Sequence, residues 1–351
     1  MNALIKENVA LAPLTTFRIG GPARYFIEAA TEAAVLESVQ FTNEKKLPLF
    51  VLGGGSNLLV SDAGFPGLVV KIAIEGTAWE ADHGKAIARA GAGEDWDRFV
   101  AQCVERDLAG VECLSGIPGS VGGTPVQNVG AYGQEVSEVI AGVRAYDRET
   151  DSIVDLIPGA CRFRYRESLF NTTARERYIV LQVTYALTEH GEPAIRYPDV
   201  QREFENSKEP ATLGGVRDAV RRIRARKAML LVEGDPDCRS AGSFFKNPIL
   251  SESQFEHLRA RAGHTLPRYD AGPGRVKTSA AWLIEHAGFS RGYAIGPAGI
   301  STKHTLAIVN KGSATAAGIL RLAREIHGRV YGEFGVRLAP EPVFVGLSLL
   351  Q

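Results

Sequence analysis

Between Ser115 and Gly123 the chain runs Ser-Gly-Ile-Pro-Gly-Ser-Val-Gly-Gly, with four glycines, one proline and two hydroxyls in nine residues. Such a stretch is a poor helix and a poor strand, because glycine loses the most backbone freedom on folding and proline donates no hydrogen bond. Its use is as a loop whose backbone comes close to something else. Consecutive peptide N–H groups there can converge on an anion without side-chain obstruction. A second glycine cluster, Gly53-Gly54-Gly55-Ser56-Asn57, lies upstream. It fails the dinucleotide fingerprint, because Leu58 stands where the third glycine belongs and the following residues read as a strand. Alone it reads most simply as a hairpin turn. Two such loops together suit a diphosphate-bearing cofactor.

Periodicity places the loops among regular elements. A helix is expected over about 31–46, a strand at Leu49–Leu52, an apolar run Leu58-Leu59-Val60 and another at Leu68–Ile72. Trp96, Phe99, Val100, Cys103 and Val104 recur at three and four residues, as on one helix face. Ile179, Leu181, Val183 and Tyr185 alternate as in a strand. Val216, Val220, Ile223 and Leu230 form the stripe of a helix whose other faces carry Arg217, Arg221, Arg222, Arg224 and Arg226. Ile319, Ala323, Ile326 and Val330 mark a long amphipathic helix, and the chain closes on a strand, Val343-Phe344-Val345. Helices and strands interleave without a strict βαβ rhythm, which points to an α+β chain.

Bulk properties narrow the function classes. The 351 residues carry 40 basic and 40 acidic side chains, so no global field draws the chain to nucleic acid or an anionic membrane. The arginine-rich helix is the one feature that would suit nucleic acid, and it lacks interleaved aromatics. No basic start with an apolar run and small-residue cleavage site opens the chain, and no stretch approaches the eighteen apolar residues of a membrane span. The four cysteines are widely spaced with no CxxC pair, which argues against a metal site or disulfide framework. A cytoplasmic protein with no metal is expected.

The run Gly116–Gly123, followed by Pro125-Val126-Gln127-Asn128-Val129-Gly130-Ala131-Tyr132-Gly133, resembles the flavin-binding segment of the UDP-N-acetylenolpyruvoylglucosamine reductases. The resemblance covers nearly the whole chain. It implies the vanillyl-alcohol-oxidase-type fold, in which two α+β subdomains clasp FAD, plus a smaller α+β substrate domain. On that basis residues 1–72 form one FAD-binding subdomain, joined by the C-terminal strand 337–351; 73–212 form the second, and 213–336 the substrate domain. Gly53, Gly54, Gly55, Ser56, Asn57, Ser115, Gly116, Pro118, Gly119, Ser120, Gly122 and Gly123 would hold the cofactor. The flavin is expected to be noncovalent, since no histidine lies in either loop and the reductase family does not tether it.

The implied reaction is NADPH-dependent reduction of UDP-N-acetylglucosamine enolpyruvate to UDP-N-acetylmuramate, a step of peptidoglycan precursor synthesis, by a monomer. Three residues match catalytic positions of the family. Arg166, in Arg164-Tyr165-Arg166-Glu167-Ser168, would grip the substrate carboxylate. Ser243, in Ala241-Gly242-Ser243-Phe244-Phe245-Lys246-Asn247-Pro248, would protonate the carbanionic intermediate. Glu341, in Leu338-Ala339-Pro340-Glu341-Pro342, would polarise the enolate with Arg166. Taken singly, each also reads blandly: a solvated basic strand, a capping serine, a surface carboxylate. Tyr132, Tyr197, Lys227, Lys246, Asn247 and His286 are the candidate substrate-binding residues, with Tyr197 on a tyrosine loop over the diphosphate. The chain departs from the family pattern at His286 and over 230–235. Another FAD-dependent sugar or lactone oxidoreductase of the same fold is the nearest alternative.

Overall fold

The structure, a computed structural model, describes residues 5–206, 210–262 and 265–349. The chain forms two compact units, the first from Met1–Val9, Ala23–Gly55 and Pro66–Leu231, the second from Ala10–Pro22, Ser56–Phe65 and Val232–Gln351.

In the first unit, Thr31 accepts a hydrogen bond from the Ala34 amide at 3.1 Å and so starts the helix Glu32–Lys45, which ends at Lys46 in the left-handed conformation. Its Val35, Val39 and Phe41 pack on Ile27, Leu68 and Val70. These come from a four-stranded sheet ordered Lys6–Ala10, Pro22–Ala29, Phe65–Ile72, Leu49–Leu52, the last two parallel. A larger antiparallel sheet runs Ser152–Leu156, Ile140–Asp147, Tyr178–Glu189, Lys85–Gly91, Thr77–Asp82. The alternation at Ile179, Leu181, Val183 and Tyr185 buries all four. Against that face lies the helix Trp96–Glu105, begun by Asp95. The ring centroids of Trp96 and Phe99 lie 5.9 and 4.9 Å from that of Tyr185. Burying each such aromatic contributes roughly 1.5–3 kcal/mol, enough to fix how the helix sits.

The helix Leu213–Arg226 also belongs to the first unit, packing Val216, Val220 and Ile223 against Cys113 and Val200. This differs from the expected start of the substrate domain at 213: the apolar stripe is buried on the flavin-loop side, and the boundary falls between Leu231 and Val232.

In the second unit, Leu58–Val60 pairs in parallel with Val343–Val345. The closing strand therefore does join the 1–72 segment, but at a part of it that packs with the C-terminal residues. A four-stranded sheet runs Ser240–Ser243, Ala307–Asn310, Ala298–Ile300, Ala294–Ile295. The helix Ala316–Phe334 buries Ile319, Ala323, Ile326 and Val330 against it. Asp62 caps that helix, accepting from the amides of Ala316 and Ala317 at 2.7 and 3.1 Å, and Gly335 at φ +70° ends it. Among the described residues no helix is long and apolar enough to cross a membrane.

Candidate active site

The two glycine loops meet. A Cβ built on Gly54 would lie 2.5 Å from the Gly119 Cα and 2.9 Å from the Ser120 backbone nitrogen, and one on Gly53 would lie 2.8 Å from the Ser120 Oγ. At Gly54 a side chain would therefore require backbone displacement, whereas at Gly53 the Ser120 hydroxyl would have to turn away. The second loop is anchored by Trp96 N–H to the Gly119 carbonyl at 3.1 Å, Val121 N–H to Glu94 at 2.9 Å and Gly122 N–H to Ala92 at 2.9 Å. Gly116, at φ +70°, is held from both sides: its N–H donates to Asp97 at 2.6 Å, and its carbonyl accepts from the Arg224 Nε at 3.1 Å. Ser115 is fully buried and spends its proton on the Glu112 carbonyl at 2.7 Å. Pro118 and Gly123 complete the loop, and a Cβ on Gly123 would meet no protein atom within 4 Å.

The Ser120 Oγ and the Gln127 Oε1 are buried with no hydrogen-bond partner among the described residues. An orphaned buried hydroxyl costs roughly 1–3 kcal/mol. Placed where two side-chain-free loops meet, it fits a polar group of a bound cofactor such as FAD. Gly55 ends the first loop's run in this unit at φ +67°. Ser56 and Asn57 belong to the second unit, where Thr16 donates to the carbonyls of both Ser56 (3.2 Å) and Ser240 (2.5 Å).

Arg166 sits at the second position of a two-residue turn closed by Arg164 and Glu167, with N–H to carbonyl bonds of 2.9 and 3.0 Å. Its φ is +57°, a left-handed conformation that costs an arginine free energy and recurs at functional sites. The guanidinium donates to the Gly130 carbonyl and reaches the Asn128 carbonyl at 3.5 Å. Asn128, 1% exposed, fixes that segment through Glu135 at 2.8 Å and the Arg164 carbonyl at 2.9 Å. So the flavin-segment motif and the arginine motif are one local structure.

A second cluster in this unit contains three candidate substrate residues. The Tyr132 and Tyr197 rings meet edge-on at 5.5 Å, and the Lys227 Nζ lies 5.9 Å from the Tyr132 centroid. Arg224, 8% exposed, joins this cluster to the second glycine loop: it lies against Tyr132 and donates to the Gly116 carbonyl and, at 2.5 Å, to the Met229 carbonyl. Burial draws its pKa down, against the attraction of Tyr132 and Asp97. Sequence reasoning counted Arg224 only among the cations on the helix's other faces and did not single it out, nor Asp97 or Thr16. The signal was present in part, because Arg224 adjoins Ile223 of the apolar stripe. The other cations of the helix are paired within the unit: Arg217 and Arg221 with Asp97, Arg222 and Arg226 with Glu203, Lys227 with Asp199.

In the second unit, the strand Ser240–Ser243 is bulged where it pairs with Ala307–Asn310, with Gly242 at φ +70°. A bulge re-aims the residue that follows it. Half-buried Ser243 precedes Phe244 and Phe245, each 1% exposed, which fix the backbone on its C-terminal side. Glu341, almost a hundred residues on, is tied to this point by its N–H, which donates to the Phe244 carbonyl at 2.9 Å. The Glu341 carbonyl in turn accepts from the Asn57 Nδ2 at 3.2 Å. Three positions from three sequence regions are thus one local structure. Lys246 is held beside them by its N–H to the Ala339 carbonyl at 2.9 Å. Asn247 turns its side-chain oxygen to the Ala280 N–H at 2.9 Å and steadies the start of the helix Ala280–His286. His286 is exposed, stacked on Trp282 at 3.6 Å, with its Nδ1 2.8 Å from the Trp282 carbonyl. Burial pushes the Cys113 thiol, near the second glycine loop, up to about 12, so it offers no thiolate. Among the described residues no group of three His, Cys, Asp or Glu is placed to hold a metal ion.

Comparison with known proteins agrees with this geometry. A family model described as an FAD binding domain matches residues 23–156, and one described as the C-terminal domain of UDP-N-acetylenolpyruvoylglucosamine reductase matches residues 235–345. The chain is 47% identical to the UDP-N-acetylenolpyruvoylglucosamine reductase of Thermobifida fusca, over 99% of this chain and 100% of that one. It is 48% identical to the reductase of the same name from Streptomyces coelicolor, over 98% of this chain and 91% of that one. The crystal structure of the enzyme from Thermus caldophilus superposes with a TM-score of 0.66 at 27% identity, covering 97% and 99% of the two chains. Matched over nearly the whole length of these reductases, the chain belongs to the UDP-N-acetylenolpyruvoylglucosamine reductase family, FAD-dependent oxidoreductases on an α+β two-subdomain FAD-binding fold.

Proposed function

We propose that this protein reduces UDP-N-acetylglucosamine enolpyruvate to UDP-N-acetylmuramate with NADPH, as a cytoplasmic monomer supplying peptidoglycan precursors. The observation that carries the reading is the backbone tie between Glu341 and Phe244, which joins the segment bearing Glu341 to the residue that follows the bulge-presented Ser243. Another flavin oxidoreductase of the same fold has no need of this serine–glutamate pair, nor of the C-terminal domain that carries it.

FAD held by the paired glycine loops would supply the two-electron relay from NADPH to the vinyl group of the substrate, and no residue here tethers it covalently. Hydride arrival at the terminal vinyl carbon moves an electron pair onto the adjacent carbon and its carboxylate. Arg166, pre-set by its turn, binds that carboxylate through a planar fork and favours the charge as it develops. Ser243 donates its hydroxyl proton to the carbanionic carbon. An alcohol is a weak acid, but that carbon is a strong base, so the transfer runs downhill. Glu341 sharpens the polarisation of the enolate.

The function is tested by mixing purified protein with NADPH. Oxidation should depend on the enolpyruvyl sugar nucleotide, one NADPH per UDP-N-acetylmuramate formed, and acid precipitation should leave FAD in the supernatant. Flavin in the pellet, or turnover without the sugar, would contradict it.

Tyr197 is assigned to a lid over the sugar diphosphate. Its side chain is exposed and it caps the helix Pro198–Phe204, whose first turn takes up Asp199. The upstream side is fixed: Ala194 donates to the fully buried Glu112 at 2.9 Å and accepts from Cys113 Sγ at 3.2 Å. Any hinge therefore lies after Ala194. Losing one hydrogen bond to a charged oxygen costs about 1.5–3 kcal/mol, so Tyr197→Phe should raise the Kd for the sugar nucleotide roughly ten- to hundredfold. Unaltered binding in a calorimetric titration would reduce Tyr197 to a surface residue.

A further inference from the structure

We propose that Asp199 is an internal stand-in for the ligand's diphosphate, holding Lys227 until the sugar nucleotide displaces it. The inference rests on the assignment of Tyr197 to the diphosphate and of Lys227 to substrate binding, and gives a role to a residue outside that assignment. Asp199 follows Tyr197 by two positions, in the first turn of Pro198–Phe204. Its carboxylate accepts from the Lys227 Nζ at 2.5 Å and also from Arg202. The Asp199 side chain is 20% exposed and that of Lys227 36%, so the pair is partly desolvated but reachable from solvent. Around it stand Tyr132, whose ring faces the Lys227 Nζ at 5.9 Å, and Arg224, which lies against Tyr132. Three cations, Lys227, Arg202 and Arg224, thus gather with this one anion about the candidate substrate residues Tyr132 and Tyr197.

The other pairs of the arginine-rich helix are of a different kind. Arg217 and Arg221 grip Asp97, which also holds the Gly116 N–H and so belongs to the flavin loop. Arg222 and Arg226 close on Glu203 with their own side chains more than half exposed. Among the described ion pairs of this helix, Asp199–Lys227 lies nearest in sequence to Tyr197, two positions away in the first turn that Tyr197 caps. Release of Lys227 would therefore act directly on the turn that bears Tyr197. A diphosphate oxygen matches a carboxylate oxygen in charge and acceptor geometry, and replacing one partner by the other leaves the ammonium neutralised throughout. The exchange also sets selectivity: a ligand lacking a strong anion at this point cannot outcompete the resident carboxylate.

The test is calorimetric titration of UDP-N-acetylglucosamine enolpyruvate into the oxidised, FAD-loaded full-length protein without NADPH. Removing a partly exposed ion pair that competes with the ligand should lower the Kd about fivefold in Asp199→Asn, and in the same direction in Asp199→Ser. Lys227→Met should raise it tenfold or more. In the Lys227→Met background, Asp199→Asn should shift the Kd by less than about twofold, because no lysine remains to be released. Equal or weaker binding in both Asp199 variants, with affinity lost in Lys227→Met, would overturn the stand-in and leave the diphosphate assignment intact. Parental affinity in Lys227→Met would overturn both.

Discussion

Ser243→Ala is expected to separate the two halves of the reaction. In stopped flow, reduction of the enzyme by NADPH should keep its parental rate, because no proton has to reach the substrate carbon in that phase. Reoxidation by the enolpyruvyl sugar nucleotide should slow by roughly a hundredfold or more, the usual contribution of a positioned general acid. The structure gives the expectation its specificity. Ser243 follows a glycine bulge and precedes two buried phenylalanines, so trimming its hydroxyl removes a proton donor without releasing the backbone. Glu341 stays in place, since it is tied through its own N–H to the Phe244 carbonyl and not through the serine side chain. Equal slowing of both phases would mean that the hydroxyl organises the site and does not serve as its acid. Restoration of the slow phase by Ser243→Cys, whose thiol is a stronger acid than an alcohol, would support proton donation over packing.

The parts of this protein that were legible in the sequence share one property: their signal is local. The helix Trp96–Glu105 and the strand Tyr178–Glu189 follow from periodicity, because a face that must be buried repeats at the period of its own element. The glycine loops follow from composition, because few other demands concentrate glycine, proline and serine in nine residues. What stayed hidden was pairing across the chain. Arg224 looked like one more cation on the helix's other faces, and only the fold supplies the Gly116 and Met229 carbonyls that make its burial tolerable. For the same reason the stripe of the helix Leu213–Arg226 predicts burial, but not against which partner. The left-handed Arg166 was invisible as well, since nothing in Arg164-Tyr165-Arg166-Glu167 resembles a turn sequence with glycine or asparagine at the strained position.

The second large effect is expected at Gly54, where the question is steric. Gly54→Ala adds a methyl group 2.5 Å from the Gly119 Cα, 2.6 Å from its carbonyl carbon and 2.9 Å from the Ser120 nitrogen. All three are backbone atoms, so no rotamer change relieves the overlap, and van der Waals separation requires the loops to part by about 1 Å. The second loop cannot easily yield, because Trp96, Glu94 and Ala92 hold its backbone through three hydrogen bonds of 2.9–3.1 Å. The first loop must move, and with it the approach that leaves the Ser120 hydroxyl facing Gly53. Misplaced packing of this kind costs typically 1–3 kcal/mol, and a cofactor gripped by both loops would feel it in full. Gly54→Ala should therefore raise the FAD Kd by roughly ten- to a hundredfold, read as flavin fluorescence released on dilution. The apoprotein bears the same strain, so its unfolding temperature should fall by no more than about a few degrees, because Gly54 is exposed and touches neither hydrophobic core. Loss of apoprotein stability with unchanged flavin affinity would assign the loop contact to folding alone. Lost flavin from an intact apoprotein would place the cofactor where the two loops meet.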